Sequence, residues 1–157
     1  MKVIHIITSI DDGGAEKTLY KICKYDFLNK HIIISLIGTG KYYSLLRKIG
    51  VKVYCLNFKF YSILKFFYLI KLISFLKPDI VQTWLIHGDF FGGIAARIAK
   101  YNNIVWNVRY SNLDAKKVKF STIFIRKILA KLSLIIPKFI IVVSKNAKKI
   151  CKEEGFD

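Results

Sequence analysis

Acidic residues are scarce in this 157-residue sequence. Ten Asp and Glu stand against 27 Lys and Arg, which gives a formal net charge of +17. A field of this sign favours anionic partners such as sugar nucleotides, nucleic acids or acidic lipids. A composition set by AT-biased coding would also be rich in Lys, Ile, Phe, Tyr and Asn, so the charge alone does not choose among these partners.

Cysteine is also rare. Cys23, Cys55 and Cys151 are an odd number, lie far apart and form no C-x-x-C pair. This pattern fits reduced thiols in a cytoplasmic protein better than a disulfide framework. The N-terminal residues do not resemble a signal peptide, because a strand-like run leads directly to charged residues without a small-residue cleavage site.

The sequence lacks a long uninterrupted apolar run. The best candidate, Phe60–Leu76, is interrupted by Lys65 and Lys71, whereas a membrane-spanning helix needs about 20 mostly apolar residues. We therefore predict no transmembrane segment.

Two nucleotide-binding fingerprints are missing as well. An NAD site requires G-x-G-x-x-G after the first strand and an acidic residue at the end of the second. Here Gly13-Gly14 is not followed by a third glycine at that spacing, and the second candidate strand ends without a carboxylate at Leu36–Gly38. A Walker A loop is absent too, so we predict no NAD and no other cofactor.

What the sequence does contain is a regular alternation of apolar runs and helical segments, with a hydrophobic content of 54%. The continuous apolar runs are typical of strands covered on both faces. They predict an α/β fold with a doubly wound, mostly parallel Rossmann-like sheet of about six strands in three α/β/α layers, in one domain over residues 1–157. The predicted strands are Lys2–Thr8, His31–Ile37, Val51–Leu56, Asp79–Trp84, Ile104–Arg109 and Phe139–Ser144, and the predicted helices are Ala15–Phe27, Tyr42–Ile49, Tyr61–Leu76, Asp89–Lys100, Ser121–Ile136 and Asn146–Glu154.

Such sheets bind ligands outside the carboxyl ends of their strands. The first of these ends carries Gly13-Gly14 before a predicted helix. Free N–H groups at a helix start and the lack of a Cβ favour an anion there. A tight turn without a ligand explains the two glycines equally well.

A polar cluster follows the fourth predicted strand, in the stretch from Gln82 to Asp89. His87 lies where a reactive group would be placed, since imidazole is suited to proton transfer near neutral pH. Alternatively, His87 or Asp89 caps the following helix. His5 and His31 lie in predicted strands and are interpreted as packing residues.

Four stretches, taken in order, resemble a known family. They are "MKVIHIITSIDDGGAEKTLYKI", "KPDIVQTWLIHGDFFGGIAARIA", "VWNVRYSNLD" and "IIVVSKNAKKICKEEGFD". Together they are similar to the acceptor-side N-terminal domain of the family 4 glycosyltransferases, which have a GT-B fold of two Rossmann-like domains. The resemblance implies sugar transfer from a nucleotide-sugar with retention of configuration and without a metal.

The resemblance also assigns residues. It implies that Gly13 and Gly14 border the donor diphosphate, and that Trp84, Asp89, Arg109 and Asn112 line the cleft or contact the acceptor. Many relatives have a functional histidine at the position of Trp84; this sequence resembles the subgroup with a tryptophan there and a histidine three residues later, His87, which is the catalytic candidate. Relatives often have histidine where this sequence has Tyr110.

Family enzymes carry donor-recognition groups in a C-terminal domain, which does not follow within these 157 residues. We expect a fragment or one half of a split enzyme that is inactive alone. The resemblance implies a glycan or lipid-linked acceptor, cell-surface polysaccharide or glycolipid synthesis, and a cytoplasmic location, in part on the inner face of the cell membrane.

The segment Tyr61–Lys77 bears on the membrane. Its polar residues recur at every third position and therefore wind around the helix, so its apolar side chains cannot all face one core. Contact with an anionic membrane surface is one interpretation, and burial between sheet and helices is the other.

Two other functions fit the composition. One is a non-catalytic Rossmann-like partner protein. The other is a basic nucleic-acid-binding module, which is disfavoured because the sequence has no recognisable nucleic-acid motif and its aromatic residues lie in apolar runs.

Overall fold

The computed structural model describes residues 1–58, 62–109 and 120–156. Six strands alternate with helices in the predicted order, and each strand ends within two residues of its predicted bounds. The strands are β1 (Lys2–Ile7), β2 (Lys30–Ser35), β3 (Lys52–Cys55), β4 (Ile80–Trp84), β5 (Ile104–Val108) and β6 (Phe139–Val142).

The helices follow the prediction with two differences: the helix predicted over Ser121–Ile136 ends at Leu132, and the helix predicted from Asp89 begins earlier. They are α1 (Gly14–Tyr25), α2 (Lys41–Lys48), α3 (Ile63–Leu76), α4 (Leu85–His87), α5 (Gly93–Ile98), α6 (Phe120–Leu132) and α7 (Lys145–Glu153). The helix predicted to begin at Asp89 begins instead at Leu85, and a π-helical turn, Gly88–Gly92, joins α4 to α5. This turn packs directly on β1, where a Cβ on Gly88 would lie 2.9 Å from the Ile6 carbonyl oxygen.

The sheet confirms the predicted fold class. All six strands are parallel, in the order β3-β2-β1-β4-β5-β6. The order reverses between β1 and β4, where His5 pairs with Gln82 and Ile7 with Trp84. In a doubly wound sheet this switch point opens the crevice in which ligands bind.

Two apolar clusters cover the two faces of the sheet. The cluster on one face joins α1 and α2 to β1–β3 and includes Trp84. The cluster on the other face joins α3 and α5–α7 to the sheet and includes Trp106. The two faces together form the three-layer α/β/α arrangement that continuous apolar strands require.

Helix α3 is apolar on both sides. Its buried face is formed by Leu69, Leu72, Ile73 and Leu76. Five large apolar side chains on the opposite side are more than half exposed: Ile63, Leu64, Phe67, Tyr68 and Phe75. The prediction that its apolar residues cannot all face one core is therefore confirmed. Within the described parts of the chain, none of the helices is both long and apolar enough to cross a membrane.

Candidate functional site

The carboxyl end of β4 makes a sharp turn at Leu85, which has a left-handed backbone with φ of 66°. Such a conformation in a residue with a Cβ is unfavourable by about 1–2 kcal/mol, and persists where the surrounding structure demands it. It turns the chain from strand directly into α4, so that His87 lies at the sheet edge one helical turn after Trp84. His87 is half-buried, and burial lowers its pKa, which keeps the imidazole neutral at pH 7.

Arg109 lies at the centre of this edge, just beyond β5. Its Nε donates to Asn107 Oδ1 at 2.9 Å, and its Nη1 donates to Thr18 Oγ1 at 3.1 Å. Its Cζ lies 5.0 Å from the centroid of the Trp84 ring, within the range of a cation–π contact. Burial lowers the pKa of Arg109, yet the guanidinium stays charged because arginine is not deprotonated in proteins.

No carboxylate in the described part of the chain forms an ion pair with Arg109. Among the described residues Arg109 is held by neutral groups, and a partly buried cation in such surroundings retains attraction for an external anion. The observed hydrogen bonds use Nε and Nη1, so Arg109 is the residue of this edge best suited to an anionic ligand.

Trp84 is fully buried beneath Arg109. Its Nε1 donates to His5 Nδ1 at 3.2 Å. Trp84 was predicted to line the cleft; the structure places its ring under the guanidinium, where it supports Arg109 from below.

Asp89 is also buried rather than open to the cleft, with a relative exposure of 1%. Thr83 Oγ1 donates to Asp89 Oδ1 at 2.6 Å, and the backbone N–H of Asn107 forms a second bond. Asp89 therefore ties the end of β4 to the end of β5, and does not cap a helix as the alternative interpretation had it. Burial raises its pKa to about 7, against the opposing effect of these two hydrogen bonds.

The two glycines differ in their surroundings. Gly13 precedes α1 in an extended conformation, and a Cβ there would collide with the carboxylate of Glu16, which folds back over it. A Cβ on Gly14 would meet nothing within 4 Å. Gly14 thus leaves the start of α1 open to a ligand, whereas the space beside Gly13 is taken by an acidic side chain that repels a diphosphate.

Asn112 was predicted to line the cleft, and Tyr110 to replace a histidine of the relatives. Both lie outside the residues that the structure describes, so these assignments stay predictions. The predicted residues that the structure brings together are Trp84 and Arg109, with His87 and Gly14 at the same edge of the sheet.

Sequence reasoning missed the residues that hold Arg109. Asn107 carries a signal, since it is a polar residue within an otherwise apolar strand, and Thr18 carries none because it belongs to an ordinary helical segment. His5 and His31 were interpreted as packing residues; both are buried, but they also form hydrogen bonds.

One cluster has the residue types of a metal site. The ligand atoms of His5, Cys23 and His31 all lie within 4.8 Å of one another, and all three residues are buried. Burial raises the pKa of Cys23 to about 12, so its thiol keeps its proton at neutral pH. His5 Nε2 and His31 Nδ1 already share a hydrogen bond at 3.0 Å. A metal would have to displace these protons, and the absence of a metal stays a prediction.

No protein-family model matches the chain, and none of the curated proteins compared with it does. Solved structures do match. The chain is similar to HepE from Anabaena in complex with UDP-glucose, with a TM-score of 0.81 and 18% identity over 100% of this chain and 41% of HepE. It is similar to MurG from Acinetobacter baumannii, with a TM-score of 0.60 and 14% identity over 93% of this chain and 42% of MurG.

A third similar structure is the UDP-N-acetylglucosamine 2-epimerase from Rickettsia bellii, with a TM-score of 0.60 and 19% identity over 100% of this chain and 42% of that protein. The chain therefore spans about two fifths of the length of each of these three structures. At these identities the similarity shows the fold, which agrees with the predicted half of a GT-B fold.

Proposed function

We propose that this chain is the acceptor-side half of a glycosyltransferase that transfers a sugar from a nucleotide-sugar. The observation that carries the proposal is the fold similarity over the whole chain to HepE, a protein whose structure holds UDP-glucose. Arg109 supports it, since it lies at the carboxyl ends of the strands and forms no ion pair with the residues that the structure describes. Membership of family 4, and transfer with retention of configuration, follow from the resemblance of the four sequence stretches and belong to the same proposal.

The donor diphosphate would approach from the side of Gly14 and Arg109. Gly14 leaves the first turn of α1 accessible, where free N–H groups and the helix dipole attract an anion. Arg109 is linked to the same helix through Thr18. The carboxylate of Glu16 limits how far the diphosphate can reach toward Gly13, so this half of the cleft would contribute only part of the binding.

His87 is the catalytic candidate of the proposal. A neutral imidazole at the edge of the crevice can accept a proton from, or orient, an acceptor hydroxyl near neutral pH. Its lowered pKa suits this role, because the ring is then unprotonated at the pH where it would act. Trp84 and Asp89 contribute indirectly, by supporting Arg109 and by joining the ends of β4 and β5.

The acceptor in the proposal is a glycan or a lipid-linked sugar at the inner face of the cell membrane. The exposed side of α3 supports this location. Phe67 and Phe75 flank the exposed Lys71 on one face of that helix, a combination suited to an anionic lipid surface. Lys65 does not belong to this face: its Nζ donates to the carbonyl oxygens of Leu56 at 2.7 Å and Asn57 at 2.5 Å.

Binding of UDP-, GDP- and ADP-sugars, followed by ligand-observed NMR, tests the donor part of the proposal. We expect one of these donors to bind the chain weakly, with a Kd in the millimolar range or about −4 kcal/mol, since the chain supplies one wall of a two-domain cleft. Arg109→Gln should abolish this binding. Arg47→Gln is the matched control, because Arg47 is exposed at the far end of α2 and its removal changes the net charge equally.

Three results would contradict the proposal. Micromolar binding to the chain alone would mean that the donor site is complete here and has been misplaced. Equal losses of donor binding in Arg109→Gln and Arg47→Gln would mean that binding depends on the net charge and not on Arg109. Absence of binding by every nucleotide-sugar, both alone and with a C-terminal donor domain supplied, would favour the non-catalytic partner protein.

A further inference from the structure

The most unusual buried feature of the chain is a line of polar side chains beneath α1. Trp84, His5 and His31 are at most 8% exposed and come from three neighbouring strands, β4, β1 and β2. Trp84 lies at the carboxyl end of β4, and His31 lies next to the start of β2, where it pairs with Val3. The line therefore crosses the sheet diagonally, from the candidate site at the carboxyl ends of the strands to the amino end of β2.

The hydrogen bonds along this line fix where each proton lies. The indole Nε1 of Trp84 can only donate, so His5 Nδ1, at 3.2 Å, must accept. A neutral His5 then carries its proton on Nε2, and Nε2 donates to His31 Nδ1 at 3.0 Å. Burial lowers the pKa of His5 to about 3, with His31 contributing in the same direction and Asp26 and Gln82 in the opposite one. The neutral form is therefore the one present at pH 7.

The last step leaves the core. Because His31 Nδ1 accepts from His5, the proton of a neutral His31 lies on Nε2, which is 3.2 Å from Asp26 Oδ2. Asp26 is held in place by the backbone N–H of Leu28 at 3.1 Å and by Asn29 Nδ2 at 2.8 Å. The hydrogen bonds of Asn29 and Leu28 and the neighbouring His31 lower the pKa of Asp26, so a carboxylate lies beside the Nε2 of His31.

We propose that His5 and His31 are positioning residues, which hold the Trp84 ring under Arg109 through hydrogen bonds that run one way from Trp84 through His5 to His31. Trp84 can rotate about its side-chain bonds only by leaving its indole N–H without a partner in the core, which is unfavourable. The ring in turn supports the guanidinium of Arg109 at 5.0 Å. The hydrogen bonds that begin near the amino end of β2 therefore help to hold Arg109 in position at the candidate site.

The same pattern excludes a metal at His5, Cys23 and His31 as long as it is intact. A metal bound to His5 Nε2 would displace the proton from that nitrogen. The second ring nitrogen would then have to take up a proton, since otherwise the ring would be anionic. That nitrogen is Nδ1, which accepts from Trp84. A metal-bound histidine normally donates from its second nitrogen, so metal binding and the Trp84 bond compete.

Long-range ¹H–¹⁵N NMR of the histidine rings tests the proposal on the unmodified chain, without any ligand. We expect His5 and His31 to be neutral Nε2–H tautomers, and addition of Zn²⁺ to leave both spectra unchanged. A His5 Nδ1–H tautomer, or stoichiometric Zn²⁺ binding with loss of the Nε2 proton, would overturn the proposal.

Variants test the positioning role. His5→Gln keeps an acceptor for Trp84, and His5→Leu removes it, so hydrogen exchange of the Trp84 indole N–H should accelerate about tenfold or more only in His5→Leu. His31→Leu leaves His5 in contact with Trp84 but removes its acceptor, so His5 should stay the Nε2–H tautomer while its unpartnered Nε2–H exchanges faster with solvent. Unchanged exchange of the Trp84 indole N–H in His5→Leu, or an Nδ1–H tautomer of His5 in His31→Leu, would refute it.

The functional role of these hydrogen bonds rests on the proposed function. Binding of inorganic pyrophosphate tests the two proposals separately. If both hold, pyrophosphate shifts the Arg109 Nε–H signal, and its Kd rises about tenfold in His5→Leu but not in His5→Gln. If pyrophosphate leaves that signal unchanged while the tautomers are as expected, the donor-site assignment fails and the chain of hydrogen bonds stands. If pyrophosphate binds equally to all variants, the positioning role fails and the donor site stands.

Discussion

We expect Asp89→Asn to remove a contribution to the free energy of unfolding that grows as pH falls, which is opposite in sign to ordinary acid denaturation. In the folded chain burial raises the pKa of Asp89 to about 7, from an ordinary value of 3.8. The unfolded chain releases this proton near the ordinary value. Between the two values the folded state therefore holds a proton that the unfolded state has lost, and the free energy of unfolding falls as pH rises.

The size of the effect follows from the width of that window. Each pH unit within it contributes about 1.4 kcal/mol, so the whole window of about three units contributes about 4 kcal/mol. Asparagine stays neutral at every pH. Between pH 4.5 and pH 6.5 the wild type should therefore lose about 3 kcal/mol of unfolding free energy relative to Asp89→Asn.

His5 contributes with the opposite sign. Its pKa is lowered in the folded chain from 6.5 to about 3, so below pH 6.5 the unfolded state binds a proton that the folded state does not. This contribution lowers the free energy of unfolding as pH falls, and over most of the Asp89 window it offsets that of Asp89. The comparison with Asp89→Asn isolates the carboxyl from this effect because both chains contain His5.

Urea unfolding at a series of pH values, followed by tryptophan fluorescence, measures the difference. Asp11→Asn is the matched control, since it makes the same change in an exposed side chain. Parallel profiles for the wild type and Asp89→Asn would refute the reasoning, and would mean that water or movement of the π-helical turn solvates the carboxyl.

The remaining predictions concern catalysis, membrane binding and packing. His87→Ala, in the chain supplied with a C-terminal donor domain, should lower turnover by about 100-fold or more and leave the Tm nearly unchanged; full activity would return His87 to a structural role. The chain should sediment with anionic but not with neutral vesicles, and Lys71→Glu should weaken this more than Lys48→Glu, a control on the other face of the sheet; equal sedimentation with both kinds of vesicle would contradict the electrostatic part. Gly88→Ala should lower the unfolding free energy by about 1–3 kcal/mol, because its Cβ meets the β1 backbone, whereas Gly14→Ala should be neutral or stabilising; equal Tm values for the two variants would show that the π-helical turn can shift.

The sequence by itself determined the architecture. Continuous apolar runs such as those around Ile6 and Ile34 suit only strands covered on both faces, and their alternation with helical segments leaves few topologies besides a parallel doubly wound sheet. The location of a ligand edge follows from that topology, because parallel strands bring their carboxyl ends together. For this reason Gly14 and His87 stand out in the sequence itself, whereas Arg109 is assigned by the resemblance to a known family.

Only the tertiary structure decided what each of these residues does. Glu16 folds back over Gly13, and Asp89 turns inward to Thr83, because side-chain directions at a turn depend on packing that periodicity does not encode. His5 and His31 are 26 residues apart in sequence, and their contact with each other and with Trp84 arises from the strand register. A histidine within an apolar strand looks the same in the sequence whether it packs or donates, since its role depends on which donor or acceptor the neighbouring strand places beside each ring nitrogen.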